Sequence, residues 1–340
     1  MKTDRDLFFP SRRQFIRQSG MTLIAFSLPI NTFSIPHPME NNTHFDVIIV
    51  GGSYSGLAAG MALGRALRSV LIIDAGNPCN RQTPHSHNFL TQDGQTPAAI
   101  AVLAKEQVMN YPTVTFLSDL ATTGSKTERG FELQTQANGT FTAKKLIFAT
   151  GIKDIMPTIG GFSESWGISV IHCPYCHGYE VSNEKTGILA NGDMAFELGK
   201  LIRNWTADLT VFTNGKAALT EEQSKKLTKH GIKVVETEID RLEQTKGQLE
   251  NIVFKNGSTT PITAIYARPT FEQHCQIPHE LNCDFTEQGY ITADPFQKTS
   301  VHGVFACGDN TTPMRSVANS VAMGTLAGVM ANKELIEEEF

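Results

Sequence analysis

Phe45-Asp46-Val47-Ile48-Ile49-Val50-Gly51-Gly52-Ser53-Tyr54-Ser55-Gly56 is the stretch whose reading fixes the class of this chain. Residues 45–50 are almost wholly apolar, the pattern of a strand covered on both faces in a parallel sheet. Gly51 to Gly56 turn that strand into a helix expected from about Leu57 to Leu67, where Ala58, Ala59 and Gly60 allow close packing on the sheet. Val70-Leu71-Ile72-Ile73 reads as the second strand, ended by Asp74, where a dinucleotide fold places a carboxylate on ribose hydroxyls. Phosphates would lie on the free N–H groups of the helix start. Ser53 departs from the G-x-G-x-x-G pattern, in which the middle residue is glycine. Strand, turn, helix and Asp74 in this order predict an α/β protein that binds a dinucleotide.

Three further elements lie downstream. Ala149-Thr150-Gly151 comes first, followed by Cys173-Pro174-Tyr175-Cys176 between His172 and His177, and then by Gly303-Val304-Phe305-Ala306-Cys307-Gly308-Asp309. A dithiol inside a dinucleotide-binding framework predicts flavin redox chemistry. Two neighbouring thiolates also bind zinc, but a closed structural site wants four ligands. His172 and His177 complete such a set on paper, although adjacent residues rarely aim at one metal, so no metal is expected. The alternative from another class is a zinc-stabilised binding module without turnover, colourless and with bound metal.

Taken together and in order, Gly51–Gly56, Asp74, Ala149-Thr150-Gly151, Cys173-x-x-Cys176 and Gly308-Asp309 resemble the low-molecular-weight thioredoxin reductases, over roughly residues 44–335. The resemblance implies an α/β fold of two Rossmann-like, three-layer domains and a homodimer. An FAD domain, 44–155 and 268–340, is interrupted by a smaller NAD(P)-type domain, 156–267, that carries the dithiol. It implies FAD contacts from Gly51, Ser53, Tyr54, Ser55, Gly56, Asp74, Ala149, Thr150, Gly151, Gly308 and Asp309, the last on the ribityl chain. A small-residue helix expected over Arg315 to Ala327, with Val317 and Ala318 at its start, would aim its N-terminus at the flavin pyrimidine, where its dipole favours negative charge. Cys176 would lie nearest the flavin, and Cys173 would be the exchange thiol.

The pattern breaks in two places. Thioredoxin reductases proper carry a second glycine loop and a basic His-Arg-Arg-x-x-x-Arg stretch for the NADPH phosphate. Here the strand Thr186-Gly187-Ile188-Leu189 leads into Ala190-Asn191-Gly192-Asp193, with alanine at the first loop glycine. After Leu209-Thr210-Val211-Phe212, the stretch Thr213–Leu219 holds one lysine and no arginine, and no acid ends the strand to hold an NAD ribose. NAD(P)H is therefore expected to be a poor reductant. The second break is Cys176-His177-Gly178 in place of Cys-Asp-Gly. It resembles a divergent branch including the flavin dithiol oxidases of the gliotoxin and holomycin type, which pass electrons to oxygen without NADPH.

An imidazole suits the role of proton carrier near neutral pH, and as imidazolium it favours the attacking thiolate. His177 is accordingly expected to be catalytic alongside Cys173 and Cys176. The substrate expected is a small dithiol or disulfide, or a thioredoxin-like protein, oxidised through FAD to oxygen or another acceptor. The alternative is an NAD(P)H-dependent disulfide reductase. His85 and His87, in a polar loop after the second strand, contact flavin or substrate on one reading and only solvent on the other. His274 and His279 read as surface residues.

At 340 residues the chain is long enough for two core-bearing domains, and 40% hydrophobic residues with 28 glycines fit an α/β enzyme. A net charge of −5 gives no reason to expect nucleic acid or an anionic membrane as partner. Ser11-Arg12-Arg13-Gln14-Phe15-Ile16-Arg17, ahead of the apolar run Met21 to Ile30, resembles a twin-arginine signal peptide. The run is too short to span a bilayer. Residues 1–43 are thus expected to be signal and linker, with Ser34 a candidate cleavage point, for a periplasmic protein. The alternative is a basic surface turn before a buried helix in a cytoplasmic one. Six cysteines are compatible with an oxidising compartment. Cys275 and Cys283 either pair or, like Cys79 and Cys307, stay small buried residues. Glu337-Glu338-Glu339 is expected to fray in solvent.

Overall fold

Strand β1 (His44–Val50) carries apolar side chains on both faces because it lies in the middle of a sheet. The structure is a computed structural model that describes residues 43–137 and 139–340; the arginine pair and Ser34 lie outside the described residues. The strands that follow are β2 (Val70–Asp74), β3 (Val114–Ser118), β4 (Ala121–Thr127), β5 (Gly130–Thr135) and β6 (Gly139–Phe148). The sheet runs β3-β2-β1-β6-β5-β4, and β17 (Val304–Ala306) pairs with β6. Its β3-β2-β1-β6 core and β17 are parallel, while β4 and β5 form an antiparallel excursion. Val47 and Ile49 pack with Leu57, Leu63, Ala327 and Leu335 on one face. Ile48 and Val50 pack with Phe131, Leu133 and Ile277 on the other.

A second sheet has the order β11-β10-β9-β15-β8, all parallel. Its strands are β8 (Val170–Ile171), β9 (Thr186–Leu189), β10 (Leu209–Phe212), β11 (Lys233–Val235) and β15 (Ala264–Ala267). The strands β12 (Ile239–Thr245), β13 (Gln248–Phe254) and β14 (Thr259–Pro261) form an antiparallel meander. Where the chain leaves the first sheet and returns to it, β7 (Ile152–Asp154) and β16 (Phe271–Gln273) pair antiparallel. The result is a mixed α/β fold with two Rossmann-like units.

Several local expectations are corrected. The first helix starts earlier than expected and runs Tyr54–Arg65, because Ser53 is its extended N-cap at φ −89°. That dihedral is ordinary for an L-residue, so serine replaces the expected glycine without backbone strain. Cys275 and Cys283 are free rather than paired, each turned into the core beside β1 and β6. Burial pushes the Cys275 thiol up to about 11.

The C-terminal helix runs Val317–Glu339, starting later and ending well beyond the expected Ala327. Its start is set by Ser316, whose hydroxyl accepts from the Asn319 amide at 3.2 Å. Its end is held by charge rather than frayed. The Lys145 ammonium on β6 donates to buried Glu334 at 2.8 Å and also meets Glu338, while Lys298 reaches Glu334 at 2.9 Å. Lys144 and Arg68 take Glu339 at 2.8 and 2.7 Å.

Burial alone would raise the Glu334 pKa, but Lys145 and Lys298 more than offset it, so it lies below the usual carboxylate value. Lys145→Met should cost about 2–3 kcal/mol at pH 7, less than the full loss of a buried pair because Lys298 remains. A depressed carboxylate contributes its stability above the unfolded pKa and loses it as pH falls through the folded one. The deficit should therefore shrink below about pH 4. An unchanged melting temperature at pH 7 would remove the clamp.

Candidate active site

The loop after β1 is shaped by contacts that only glycine permits. Gly51 sits at φ +103° with its amide on the Ile73 carbonyl at 2.8 Å, and a Cβ there would strike the Ala149 carbonyl. A Cβ on Gly56 would strike the Gly51 carbonyl in turn. Asp74 accepts from the Gly52 amide at 2.9 Å, which fixes its carboxylate beside the loop. Tyr54 donates to the Pro97 carbonyl at 3.2 Å and accepts from Asn80 at 3.3 Å, tying down the chain after β2. Ser55 is buried under Gly308, where an added Cβ would approach its hydroxyl to 2.7 Å.

A cavity of about 350 Å³ opens over this loop. It runs from Asp74, Lys105 and Phe116 to Cys176 and His177, and Ser53, Ala149, Thr150, Gly151 and Asp309 also line it. A second cavity, of about 640 Å³, adjoins it at Gly51, Asp74, Thr150 and His274 and continues to Asp119 and Leu120. At the N-terminus of the last helix Val317 lines the first cavity, whereas Ala318 is exposed and lies outside the lining. Asp309 faces the cavity with one oxygen 3.5 Å from Arg315 Nε and the other accepting from Ser320 at 3.4 Å. Burial raises its pKa, and Arg315 and Ser320 offset that only in part.

At the far end, Cys173 and Cys176 are disulfide-bonded across the short helix Pro174–His177, of which Cys173 is the N-cap. Cys176 and His177 line the cavity and Cys173 does not. Burial lowers the His177 pKa, with Glu180 opposing and His87 adding to the shift. The ring is therefore neutral at pH 7 and able to accept a proton. With the two sulfurs bonded to each other, neither offers a thiolate to a metal.

Five residues of the site escaped the sequence reading or were left ambiguous by it. His172 lines the cavity with Nε2 buried and unpartnered. Burial first, then the charges of Arg315, His177 and Arg268, bring its pKa down to about 3. His274 is exposed, as expected of a surface residue, and also lines both cavities, while His279 stacks on Phe285 at 3.7 Å, away from the site. His87 lines the first cavity; His85 instead bonds the Gly94 carbonyl at 3.0 Å. Arg315 makes a two-pronged pair with Asp154 at 2.8 and 2.9 Å, locking β7 to the start of the last helix. Cys79 is exposed rather than buried as expected, and it lines the cavity with its sulfur 4.0 Å from Asp309. Of these, only the histidine-rich loop carried a local signal.

The second glycine loop is closed on itself. Asn191 Oδ1 accepts from the amides of Gly192 and Ala218, both at 2.8 Å, and its Nδ2 donates to the Lys216 carbonyl at 2.9 Å. Gln223 donates to Asp193 at 2.7 Å, and Glu236 accepts from the Ala217 amide at 2.8 Å. The segment after β10 is thus folded onto the start of the helix Gly192–Ile202. A side-chain oxygen takes up an amide that a phosphate would use, and Asp193 adds a carboxylate to the first turn.

The residues around the first loop fit an FAD. Backbone is bare where no Cβ can stand, Asp74 and Asp309 are fixed at the wall, and the buried Nε2 of His172 lacks a partner at the dithiol end. The loop amides from Gly51 to Ser55 would hold the pyrophosphate, Asp74 a ribose and Asp309 the ribityl chain. The sequence pattern of the pyridine nucleotide-disulphide oxidoreductases matches residues 45–324. The thioredoxin reductase aclD of Aspergillus oryzae is 30% identical, covering 87% of this chain and 98% of its own. Among solved structures, an oxidoreductase from Agrobacterium tumefaciens superposes with a TM-score of 0.81 at 35% identity, over 86% of this chain and 99% of that one. HlmI superposes with a TM-score of 0.82 at 29% identity, over 87% and 94%. With the Cys173–Cys176 disulfide at one end of the cavity and this likeness along nearly its whole described length, the chain belongs to the pyridine nucleotide-disulphide oxidoreductase family, as a thioredoxin reductase-like, FAD-dependent enzyme acting on disulfides.

Proposed function

We propose that this enzyme works in the oxidase direction. It takes electrons from a small dithiol, or a dithiol of a thioredoxin-like protein, and passes them to oxygen or another acceptor without a nicotinamide nucleotide. The observation that carries this reading is the Asn191 closure of the second glycine loop, together with the missing basic stretch after β10. The reading keeps the FAD domain at 44–155 and 268–340, the dithiol domain at 156–267, and a homodimer. The names of relatives such as the thioredoxin reductase of Aspergillus oryzae favour the second reading, an NAD(P)H-dependent reductase.

When bound, FAD supplies a two-electron acceptor beside Cys176. The chain's own residues do the rest. His177 takes the proton of a substrate thiol, and the resulting thiolate attacks Cys173 Sγ. The Cys173–Cys176 bond breaks, and Cys176 leaves as a thiolate on the cavity side. The second substrate thiol gives its proton to His177 in turn and, as the thiolate, attacks the substrate sulfur of the mixed disulfide, which releases the substrate disulfide and the Cys173 thiolate. An anaerobic titration should bleach the yellow protein completely with two equivalents of dithiol per chain, one for the disulfide and one for FAD, and air should restore the colour with oxygen uptake. Oxygen uptake no faster than with free FAD and dithiol would refute an oxygen-linked oxidase.

We also propose export by the twin-arginine route, supported by Ser11-Arg12-Arg13-Gln14-Phe15. Changing both arginines to lysine should strand the protein in the cytoplasm, since the arginine pair itself is the address. Unchanged fractionation of the double variant counts against export.

A further inference from the structure

His87 and Glu180 come from distant parts of the chain and meet beside the dithiol. His87 Nε2 lies 3.4 Å from Glu180 Oε1, and its Nδ1 lies 3.7 Å from Asp93 Oδ2. His87 is the least exposed of the three side chains, at 23% against 41% for Glu180, and Asp93, at 67%, is the outlet to solvent. His177, at the inner end, lines the cavity and feels both Glu180 and His87 electrostatically. The other charged or titratable groups in reach are His85, whose ring is 6.4 Å from that of His87, Tyr266, which feels the Glu180 charge, and the His172 side of the cavity with Arg315 and Arg268. On that side Arg315 is paired with Asp154 and Asp309, so the group that draws a proton held by His177 is the Glu180 carboxylate.

We propose that His87 and Glu180 are positioning residues that carry to solvent the proton His177 takes from the substrate thiol. Resting on the catalytic sequence above, the step balances as follows. The substrate S–H bond breaks and an N–H bond forms on His177. The thiolate displaces Cys176 from Cys173, and the proton passes through the Glu180 carboxylate to His87, then to Asp93 and water. His177 is neutral again before the next thiol arrives. The contact also joins the loop of His87 to the turn after the dithiol, so a purely structural role has to be separated from a proton-carrying one.

Buffer rescue makes that separation. The oxidised, FAD-loaded enzyme and its His87→Asn, His87→Gln and Glu180→Gln variants are mixed with dithiothreitol at pH 7 in weak buffer. Acid quenching, alkylation and mass spectrometry then count the thiols released from Cys173–Cys176. The variants should open the disulfide about tenfold more slowly, less than the roughly hundredfold or more of losing a direct acid–base group because His177 itself remains, and recover to within about twofold when imidazole is added at constant ionic strength. Undiminished rates, or a loss that imidazole does not restore while FAD content stays normal, overturn the proposal. The assay needs no electron acceptor. Rapid reduction by NADPH would therefore remove the oxidase reading and leave this result standing.

Discussion

Cys173→Ser and Cys176→Ser each lower dithiol turnover by at least about a thousandfold while the protein stays yellow, because each removes an atom that makes or breaks a bond. The two variants should fail differently. In Cys176→Ser the remaining thiol is the one outside the cavity lining, so activated dithiol adds to Cys173 and persists as a mixed disulfide, visible as a mass increase. In Cys173→Ser the remaining thiol is Cys176, which lines the cavity next to His177. That variant should resist the adduct and show a long-wavelength absorption from a thiolate beside the flavin. Serine is close to isosteric, and Cys176 lies in a short helix whose backbone bonds do not involve the sulfur, so loss of fold is not the expected cause. Equal adduct masses and equal spectra would cancel the division of roles, and retained turnover in either variant would remove the disulfide from the reaction.

What could be read in the sequence was what local chemistry decides. Val47, Ile48 and Ile49 mark a two-faced buried strand wherever they occur, and Gly51 and Gly56 mark a turn in which no Cβ fits. Strands β9 and β10 fall where their apolar runs put them. The Cys-x-x-Cys spacing carries its own ring closure. What could not be read depended on partners far along the chain. The triple glutamate at the C-terminus looks like a solvated tail until Lys144, Lys145 and Arg68 are brought to it. His172 looks like a spare ligand beside a thiol pair until packing buries its Nε2 in the cavity wall. Arg315 gives no sign in sequence of the Asp154 carboxylate to which it is clamped. His274 reads as a surface residue and is exposed, and only the pairing of β16 with β7 places it at the cavity. Cys275 and Cys283 have a spacing that permits a disulfide, yet both are free thiols buried in one core cluster. Asn191 is the instructive case. Its substitution pattern announces a weakened nucleotide loop, but the bonds with which it seals that loop come from residues 216 and 218.

Those bonds set the second large effect: NADPH should reduce this flavoprotein at least about a hundredfold more slowly than a good dithiol does at equal micromolar concentration. A nucleotide must first displace Asn191 from the Gly192 and Ala218 amides and from the Lys216 carbonyl. Each such bond contributes about 0.5–1.5 kcal/mol net, so opening the loop costs on the order of 3 kcal/mol before any contact is gained. The bound 2′-phosphate then meets one lysine between Thr213 and Leu219 where relatives of the reductase type place arginines. Each missing charge-assisted contact removes about 1.5–3 kcal/mol, roughly ten- to a hundredfold in affinity. Asp193, in the first turn of the helix, adds like-charge repulsion against the pyrophosphate. The two causes separate by mutation. Asn191→Gly opens the loop and should speed reduction by NADH and NADPH alike, without creating a preference for NADPH, because the phosphate contacts are still absent. Stopped-flow bleaching under anaerobic conditions reads all four combinations of protein and nucleotide. Rapid bleaching of the wild-type protein by micromolar NADPH, at a rate equal to or above that with dithiol, would return the enzyme to the thioredoxin reductases proper. Unchanged nucleotide rates in Asn191→Gly would show that the seal is not what excludes the cofactor and leave the missing arginines as the cause.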